Sequence, residues 1–271
     1  MRGSSNIAVV HLVRAANPTT ALQRFLDSYI EYPAGMSHKL VFLLKGFSTQ
    51  LPADVSEQLD RVQHSKLYCV DQGYDITSYF YAAERISEPL VLFINSFSIF
   101  LAAQWLSKLQ RAYTQENVGL VGATGSWESI APESTGVGLL KSAKSVALSL
   151  PLLLLFPAFP NPHIRTNCFL LARNDFLAMR PILIRSKLDA WLFESGRNSM
   201  TRQMLRRGHE VLIVGRNGFQ YRPTEWARSL TFWQSQQENL LVHDNRTMAY
   251  QDGSPEFKAR RNQSAWNIVR P

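Results

Sequence analysis

Apolar segments with strand character alternate with segments of helical periodicity through the first 125 residues. The first pair is "NIAVVHLV" (residues 6–13), followed by a segment with apolar side chains at helical spacing, namely Leu22, Phe25, Leu26 and Tyr29. Four more strand-like runs follow, each separated from the next by a helix-like segment: "KLVFLLKG", "KLYCV", "PLVLFI" and "NVGLVGAT". Strands alternating with helices predict an α/β fold in which helices cover both faces of a largely parallel sheet.

The second half of the chain is less regular. The run "HIRTNCFLLAR" (residues 163–173) reads as one strand, and period-two spacing then places His163, Arg165 and Asn167 on one face. Further on, a helical pattern ends at Gly208 and a strand runs from Glu210 to Val214. Because no linker rich in Gly, Ser or Pro separates the halves, we predict a single domain over residues 1–271.

The net charge of the chain indicates which classes of binding partner are favoured. The formal net charge is +8 with a pI of about 9.7, which favours an anionic partner: nucleic acid, a phosphorylated small molecule or an acidic membrane surface. The basic residues are dispersed along the sequence, and neither a nucleic-acid recognition module nor a basic helix is visible. We therefore expect no nucleic-acid partner. The first residues, "MRGSSNIAVVHLV", lack the apolar run of a signal peptide, which predicts a cytoplasmic protein.

One strongly apolar segment, "SVALSLPLLLLFPAFP" (residues 145–160), has two interpretations. It is too short and too interrupted by proline to span a bilayer. It is either a buried helix and loop or an interfacial element, and Lys141 and Lys144 would support peripheral contact with a membrane.

Several common catalytic signatures are absent from the sequence. There is no G-x-G-x-x-G after the first strand and no G-x-x-x-x-G-K-[ST], which disfavours dinucleotide and P-loop enzymes. Cys and His spacing does not indicate zinc, and "GATGSWES" is not a nucleophile elbow. In parallel α/β sheets, ligands bind beyond the carboxyl ends of the strands, so the loops after the predicted strands are the candidate site.

Those loops, taken in order, resemble bacterial glycosyltransferases of the GT-A fold, in the family 2-like group that builds surface polysaccharides such as O-antigen or capsule. The segment "VDQGYDITSYFYAA" also resembles the Gly-x-Asp-Ile element of rhamnan synthesis F-like proteins. The resemblance spans roughly residues 6–222. It implies a GT-A-like three-layer α/β/α sandwich with a nucleotide-sugar-binding half over about 1–125, and an acceptor-binding half with the C-terminal tail over about 126–271.

The family's D-x-D signature aligns with the end of "PLVLFINSF", where Asn95, Ser96 and Phe97 offer no carboxylate. Mn²⁺ and Mg²⁺ prefer charged oxygen ligands, which leaves three alternatives: other residues hold the metal, basic side chains replace it, or transfer activity has been lost. We expect Phe97 to face the core. The resemblance implies that the donor, a nucleotide-diphosphate sugar, contacts Arg14, Asp71, Asp75, Asn95 and Ser96.

Asp75 and Asn95 also have simpler structural interpretations. Asp75 can serve as a helix N-cap and Asn95 as a turn residue at a strand end. Both roles can coexist with ligand binding.

The resemblance also assigns acceptor-side residues and a base. Acceptor contacts would come from Trp127, His163, Arg165 and Asn167, although an edge-strand face or simple packing would explain the same residues. In "FESGRNSMTRQMLRRG", Glu194 matches the first acid of the family's E-D pair, but Ser195 replaces the second.

Glu194 is therefore the predicted general base, and Asp189 is the reserve candidate. Glu194 lies beside aromatic residues in the sequence, and a partly desolvated carboxylate suits a base, whereas an exposed helix-face glutamate would have no such role. His243 is a weak metal-ligand candidate.

The sequence therefore predicts a cytoplasmic glycosyltransferase, associated with the inner membrane face if the apolar segment is interfacial. The resemblance implies transfer, with inversion, of a hexosyl or deoxyhexosyl group to a surface glycan that is either free or lipid-linked. The alternative is a non-catalytic GT-A-like protein that binds a glycan or a partner in polysaccharide assembly, which the missing D-x-D aspartates favour.

Overall fold

The computed structural model describes residues 6–131, 152–181 and 184–267. The predicted apolar segment at 145–160 therefore lies partly outside the described residues, and residues 152–155 of it are helical. Within the described ranges, none of the helices combines the length and apolar character needed to cross a membrane.

Within these ranges, eight strands form one central sheet. In chain order they are β1 (Ile7–Arg14), β2 (Lys39–Lys45), β3 (Ser65–Cys69), β4 (Leu90–Ile94), β6 (Val118–Gly122), β9 (Cys168–Ala172), β10 (Glu210–Val214) and β11 (Gln220–Tyr221). Four two-residue strands form two small sheets, in which β5 (Ile99–Phe100) pairs with β12 (Val242–His243) and β7 (Gly125–Ser126) pairs with β8 (His163–Ile164).

Apart from the helical residues 152–155, the helices lie between these strands or after the last of them. They are α1 (Thr19–Glu31), α2 (Ala53–Leu59), α3 (Asp75–Ala83), α4 (Trp105–Tyr113), α5 (Arg173–Ala178), α6 (Lys187–Ser195), α7 (Met200–Arg206), α8 (Asn245–Gln251) and α9 (Pro255–Trp266), with a 3₁₀ helix at Pro223–Arg228.

The central sheet has the order β11-β10-β6-β9-β4-β1-β2-β3. Strands β3, β2, β1 and β4 are parallel, as are β6 and β10, whereas β9 is antiparallel to both β4 and β6. The edge strand β11 is antiparallel to β10. The sheet is therefore mostly parallel, as predicted, and strands from both halves of the chain belong to it.

Both faces of the sheet are buried, which explains the continuous apolar runs in its strands. In β1, Ala8 and Val10 pack in one core cluster with side chains of α3, α5, α6 and α7. The alternate residues, Ile7 and Val9, pack in a second cluster with α1, α2 and α4. Helices on both faces of one sheet give three layers, so the predicted α/β/α architecture is confirmed.

The prediction of one continuous strand over residues 163–173 is wrong. Residues His163 and Ile164 belong to β8 in a small sheet, and Cys168 begins β9 in the central sheet. The chain bends between them because the Arg165 backbone N–H donates to the Thr124 carbonyl at 3.1 Å instead of continuing either ladder. Period-two spacing therefore does not place His163 and Asn167 on one face.

Candidate functional site

A cleft of about 270 Å³ opens where β4 ends and β9 begins. The two ends coincide because β9 is antiparallel to β4, and the Asn95 N–H donates to the Asn167 carbonyl at 2.9 Å across the junction. The cleft is lined by residues of this junction, by one side of α6 along its length and by the start of α8: Asn95, Arg165, Thr166, Asn167, Lys187, Trp191, Glu194, Asp244, Asn245 and Arg246. The structure thus brings four sequence-predicted site residues together: Asn95, Arg165, Asn167 and Glu194.

Asn95 closes the turn after β4. Its side-chain Oδ1 accepts hydrogen bonds from the Phe97 N–H at 3.1 Å and from the Ser98 hydroxyl at 2.8 Å. An Asn at a strand end commonly closes a turn in this way. Phe97 is 36% exposed, so the expectation that it faces the core is wrong. The turn that Asn95 closes directs the Phe97 side chain outward, whereas Ser96 between them is buried.

Glu194 is held at the cleft by the backbone of the bend before β9. Its Oε1 accepts the Thr166 N–H at 3.2 Å, and the residue is half-buried near the end of α6. Helix α6 starts at a capping box between Ser186 and Asp189, which fixes where the helix begins. One carboxylate is therefore positioned in the cleft by a helix on one side and a peptide group on the other.

Asp189, the reserve base, has a structural role at the start of the same helix. Its Oδ2 accepts the backbone N–H groups of Arg185 at 2.9 Å and Ser186 at 2.8 Å. These backbone hydrogen bonds lower the pKa of the Asp189 carboxyl, which favours its charged form. A carboxylate already used as a cap, and absent from the cleft lining, is a poorer base than Glu194.

Arg165 and Asp244 form a buried ion pair at the base of the cleft. The Arg165 Nη2 lies 2.8 Å from the Asp244 Oδ2, and the two side chains are 4% and 1% exposed. The guanidinium also lies over the Phe232 ring, 4.2 Å from its centroid. Burial alone would raise the pKa of Asp244, but Arg165 and the hydrogen bonds from Thr247 outweigh burial and lower it.

Asn167 also contributes a buried amide to the cleft. Its Oδ1 accepts the Thr124 hydroxyl at 2.8 Å, and the residue is 2% exposed. The Asn167 Nδ2 and the Arg165 Nε have no hydrogen-bond partner among the described residues. Buried polar nitrogens are rarely left in this state in folded proteins.

The other predicted donor residues meet beyond the ends of β1, β2 and β3. Arg14 binds Asp71 through two hydrogen bonds, at 3.1 Å from Nε and 3.2 Å from Nη2. Lys45 lies beneath them, almost fully buried, with its Nζ 2.8 Å from the Gly73 carbonyl and 3.9 Å from the Asp71 Oδ1. The rule that parallel strand ends share one edge thus joins Arg14 and Asp71.

Asp75 lies at the first position of α3, not at its cap. The cap position is Tyr74, which makes no side-chain capping bond, so the N-cap interpretation of Asp75 is wrong. Burial raises the pKa of the Asp75 carboxyl, the charges of Lys45 and Arg14 oppose the rise, and Glu194 adds to it. Asp75 therefore shares an electrostatic environment with Glu194 although it does not line the cleft.

The remaining predicted residues lie elsewhere. Ser96 lines a small pocket of about 20 Å³ together with Arg14. Trp127 packs edge-on against Trp266 and donates its indole N–H to the Pro223 carbonyl at 2.9 Å. His163 is buried with its Nδ1 2.8 Å from the Asn161 carbonyl, and burial lowers its pKa. Neither Trp127 nor His163 is among the residues lining the cleft.

The metal implied by the family resemblance does not fit this site. The Asn95 Oδ1 already accepts two hydrogen bonds, and neither of the next two residues carries a carboxylate. Among residues 6–131, 152–181 and 184–267, no group of three or more His, Cys, Asp and Glu side chains is arranged to hold a metal ion. His243 lies on β12, where burial lowers its pKa, and joins no such group in that part of the chain.

Sequence reasoning missed Lys187 and Arg246 in the cleft and Lys45 beneath the Arg14–Asp71 pair. For Lys45 a signal was available, because a lysine that ends an apolar strand before a glycine lies at the ligand-binding edge. For Arg246 no local signal exists. Its position depends on the Arg165–Asp244 pair, which brings the start of α8 to the bend before β9 across 79 positions of sequence.

No family model matches the chain, and no curated protein matches it in sequence. Among solved structures, it is similar to the mannosyltransferase PcManGT from Pyrobaculum calidifontis in complex with GDP-Man and Mn²⁺, at 10% identity, TM-score 0.43, 66% of this chain and 47% of that chain. It is also similar to 4-diphosphocytidyl-2C-methyl-D-erythritol synthase from Anaerococcus prevotii, at 13% identity, TM-score 0.44, 77% of this chain and 87% of that chain.

A third similar structure is glucosyl-3-phosphoglycerate synthase from Mycobacterium tuberculosis in complex with Mn²⁺, UDP and phosphoglyceric acid. The identity is 18% and the TM-score 0.41, over 70% of this chain and 63% of that chain. The chain thus spans less than two thirds of the length of the mannosyltransferase and of the glucosyl-3-phosphoglycerate synthase.

Proposed function

We propose that the protein is a glycosyltransferase that uses a nucleotide-diphosphate sugar, with Glu194 as general base. The observation that supports this best is the cleft at the β4–β9 junction, where Glu194 shares one opening with Arg165, Lys187 and Arg246. A base and several cations around one cleft suit a reaction in which a hydroxyl loses a proton while an anionic group departs.

The proposed reaction is a single displacement. The Glu194 carboxylate accepts the proton of an acceptor hydroxyl, and the hydroxyl oxygen forms a bond to the anomeric carbon of the sugar. The bond from that carbon to the diphosphate oxygen breaks, and the nucleoside diphosphate leaves with the electron pair. One displacement at one carbon inverts its configuration.

The finer assignments follow from the family resemblance and belong to the same proposal. The donor nucleotide would contact the Arg14–Asp71 region, and the sugar would be a hexose or deoxyhexose. The acceptor would be a surface glycan, and contact with a membrane would use the basic surface that the net charge of +8 supplies.

A non-catalytic function is the second candidate. The observation that favours it is the turn after β4, where Asn95 uses its oxygen for turn closure and no carboxylate follows. Such a protein would bind a nucleotide sugar or glycan in the cleft without cleaving the glycosidic bond.

Glu194→Gln separates the two candidates. Glutamine keeps an oxygen that can accept the Thr166 N–H but cannot take up a proton, so the rate of nucleotide-sugar turnover should fall about 10²-fold to 10⁴-fold. The measurement is release of UDP, GDP or dTDP from the matching sugar donors, with and without an oligosaccharide acceptor.

The matched control is Glu238→Gln, which changes an exposed glutamate and should leave turnover unchanged. Turnover by Glu194→Gln at the unmodified rate would reject Glu194 as base. Donor binding by the unmodified protein without any turnover, across all three donors, would favour the non-catalytic function.

A further inference from the structure

The cleft at the β4–β9 junction carries more positive charge than its own carboxylates neutralise. Three cations line it, Arg165 at the base and Lys187 and Arg246 at the exposed rim. Of its carboxylates, Asp244 is engaged by Arg165 through one oxygen and by Thr247 through the other. Glu194 is the remaining carboxylate among the lining residues, so the cleft retains a positive excess.

Two hydrogen-bond donors in this cleft also lack partners in the described chain. They are the Arg165 Nε and the Asn167 Nδ2, on side chains that are 4% and 2% exposed. Both nitrogens are shielded from bulk water, so a ligand can reach them only if neighbouring side chains move. A buried donor without a partner costs free energy, and an acceptor-rich ligand would remove that cost.

Arg246 is held close to the buried pair without being neutralised by it. Its guanidinium lies 5.3 Å from the Trp233 ring centroid. Desolvation lowers the pKa of Arg246 and repulsion from Arg165 lowers it further, whereas attraction to Glu194, Glu128 and Asp244 only partly opposes this decrease. Two guanidinium groups that repel each other are stabilised when an anion binds between them.

We propose that Arg165, Asn167, Lys187 and Arg246 form a diphosphate-binding subsite that holds its anion directly, without a divalent cation. That the diphosphate belongs to a sugar donor rests on the proposed function, whereas recognition of the anion rests on the cleft alone. The chemistry fits, because guanidinium groups bind phosphate oxygens in a bidentate manner and stay charged at any physiological pH. Arg165 and Asn167 thereby contact the donor and not the acceptor.

The experiment is calorimetric titration of the full chain with inorganic pyrophosphate in the presence of EDTA, repeated with excess Mn²⁺. We expect binding in EDTA, weakened by added salt, since the contacts are between charges. The parallel titrations with UDP, GDP and dTDP should give tighter binding than pyrophosphate for one of them. Equal affinity for pyrophosphate and every nucleotide would overturn the donor assignment.

Arg246→Ala and its control Arg261→Ala test the residues. Both arginines lie over Trp233, at 5.3 and 5.0 Å, but Arg261 does not line the cleft. Arg246→Ala should weaken pyrophosphate binding about tenfold or more, the scale of a charged hydrogen bond, and Arg261→Ala should not. Because Arg246 is exposed, its loss should leave folding intact, which the melting temperature checks.

Asn167→Asp tests the buried donor. The variant keeps the oxygen that accepts from Thr124 but replaces the unpaired NH₂ with a negative oxygen, so pyrophosphate binding should be lost. Binding that appears only with Mn²⁺, or equal affinities for the Arg246 and Arg261 variants, would overturn the metal-free subsite. Pyrophosphate binding in EDTA by a protein that turns over no sugar donor would instead reject the proposed function and leave the subsite standing.

Discussion

His11 is an ionisable side chain in the middle of the sheet's apolar core. It lies in β1 at 1% exposure, and its ring stacks on Phe25 with centroids 3.5 Å apart. Neither ring nitrogen has a hydrogen-bond partner among the described residues. Burial lowers the pKa of His11 from 6.5 to about 3, so the folded protein keeps the ring neutral.

This residue should make stability depend on pH. Below pH 6.5 the unfolded chain binds a proton at His11 and the folded chain does not, so the free energy of unfolding falls as pH decreases toward 3. At pH 5 the loss amounts to about 2 kcal/mol, whereas at pH 7.5 it is negligible. His11→Leu should remove this dependence, measured by urea unfolding at both pH values.

His64→Leu is the control, because His64 is only half-buried and its Nδ1 lies 2.9 Å from the Val62 carbonyl. The free energy of unfolding of His11→Leu, relative to that of the unmodified protein, should rise by about 2 kcal/mol from pH 7.5 to pH 5, and by more than that of the His64 variant. An unchanged difference for His11→Leu would mean that the ring is protonated or paired in the folded state.

Single residues whose backbone geometry is special were the easiest to predict. Gly208 was expected to end a helix, and it adopts a φ of +82° just after α7, which favours glycine. Gly46, which the predicted strand "KLVFLLKG" included, instead follows β2 with a φ of +78°, and an added Cβ would approach the Asp71 Cβ to 2.9 Å. Local backbone chemistry made Gly208 predictable, whereas the close approach of Gly46 to Asp71 depends on the fold.

At the scale of elements, one ion pair joins the bend before β9 to the start of α8. Asp244 caps α8 by accepting the Thr247 N–H at 2.8 Å, and the same carboxylate accepts from Arg165. The cap joins residues three positions apart, whereas the ion pair joins residues 79 positions apart. The helix start and the cleft base are therefore fixed by one buried side chain.

Asp244→Asn should separate the ion pair from the cap. Asparagine caps helices about as well as aspartate, so the substitution chiefly leaves the Arg165 charge buried without its partner. Breaking a buried pair from one side costs about 3 kcal/mol or more in the free energy of unfolding at pH 7. The measurement is urea unfolding of both proteins between pH 7 and pH 3.

The pH dependence of that difference has a definite sign. Because the pKa of Asp244 is lowered on folding, its contribution is fully present above the pKa of the unfolded aspartate and is lost as pH falls through the lower folded pKa. The deficit of Asp244→Asn should therefore shrink below about pH 4. The control is Asp27→Asn in the exposed pair with Arg61, which should cost about 1 kcal/mol or less; a similar small cost for Asp244→Asn would contradict the role of the buried pair.

At the scale of the whole molecule, β9 connects the two halves of the sheet. It pairs with β4 from the first half and with β6, which leads to β10. Phe169 on β9 is fully buried and contacts the rings of Phe93, Tyr79 and Phe176 at centroid distances of 5.4 to 6.1 Å. Packing at this strand therefore couples residues far apart in the chain.

Phe169→Ala should destabilise both halves together. The cavity and lost burial cost about 3–5 kcal/mol, and amide exchange in β1 and in β10 should accelerate by the same factor if both open in one transition. Hydrogen-exchange mass spectrometry measures both strands in one experiment. Phe219→Ala, at a residue that is 69% exposed, should change neither; acceleration in only one strand would show that the halves unfold separately.

The alternation of strands and helices was predictable because apolar periodicity is a local property of the chain. The strand at Glu210–Val214 has the predicted bounds, and β1, β2 and β4 differ from prediction by a residue or so. The helix that follows β4 starts only at Trp105, because Phe100 pairs with Val242 in a small sheet. That pairing joins residues about 140 positions apart, which no local pattern reveals.

The sequence by itself determined the layered α/β class, the strand ends that carry polar residues and the absence of carboxylates after β4. Those depend on the order and chemistry of neighbouring residues. Only the tertiary structure decided that β9 runs antiparallel beside β4, and hence that Asn95, Arg165, Asn167 and Glu194 share a cleft with Lys187 and Arg246. The reason is physical: burial of both sheet faces can be satisfied by several strand orders, and long-range packing of the whole chain selects one.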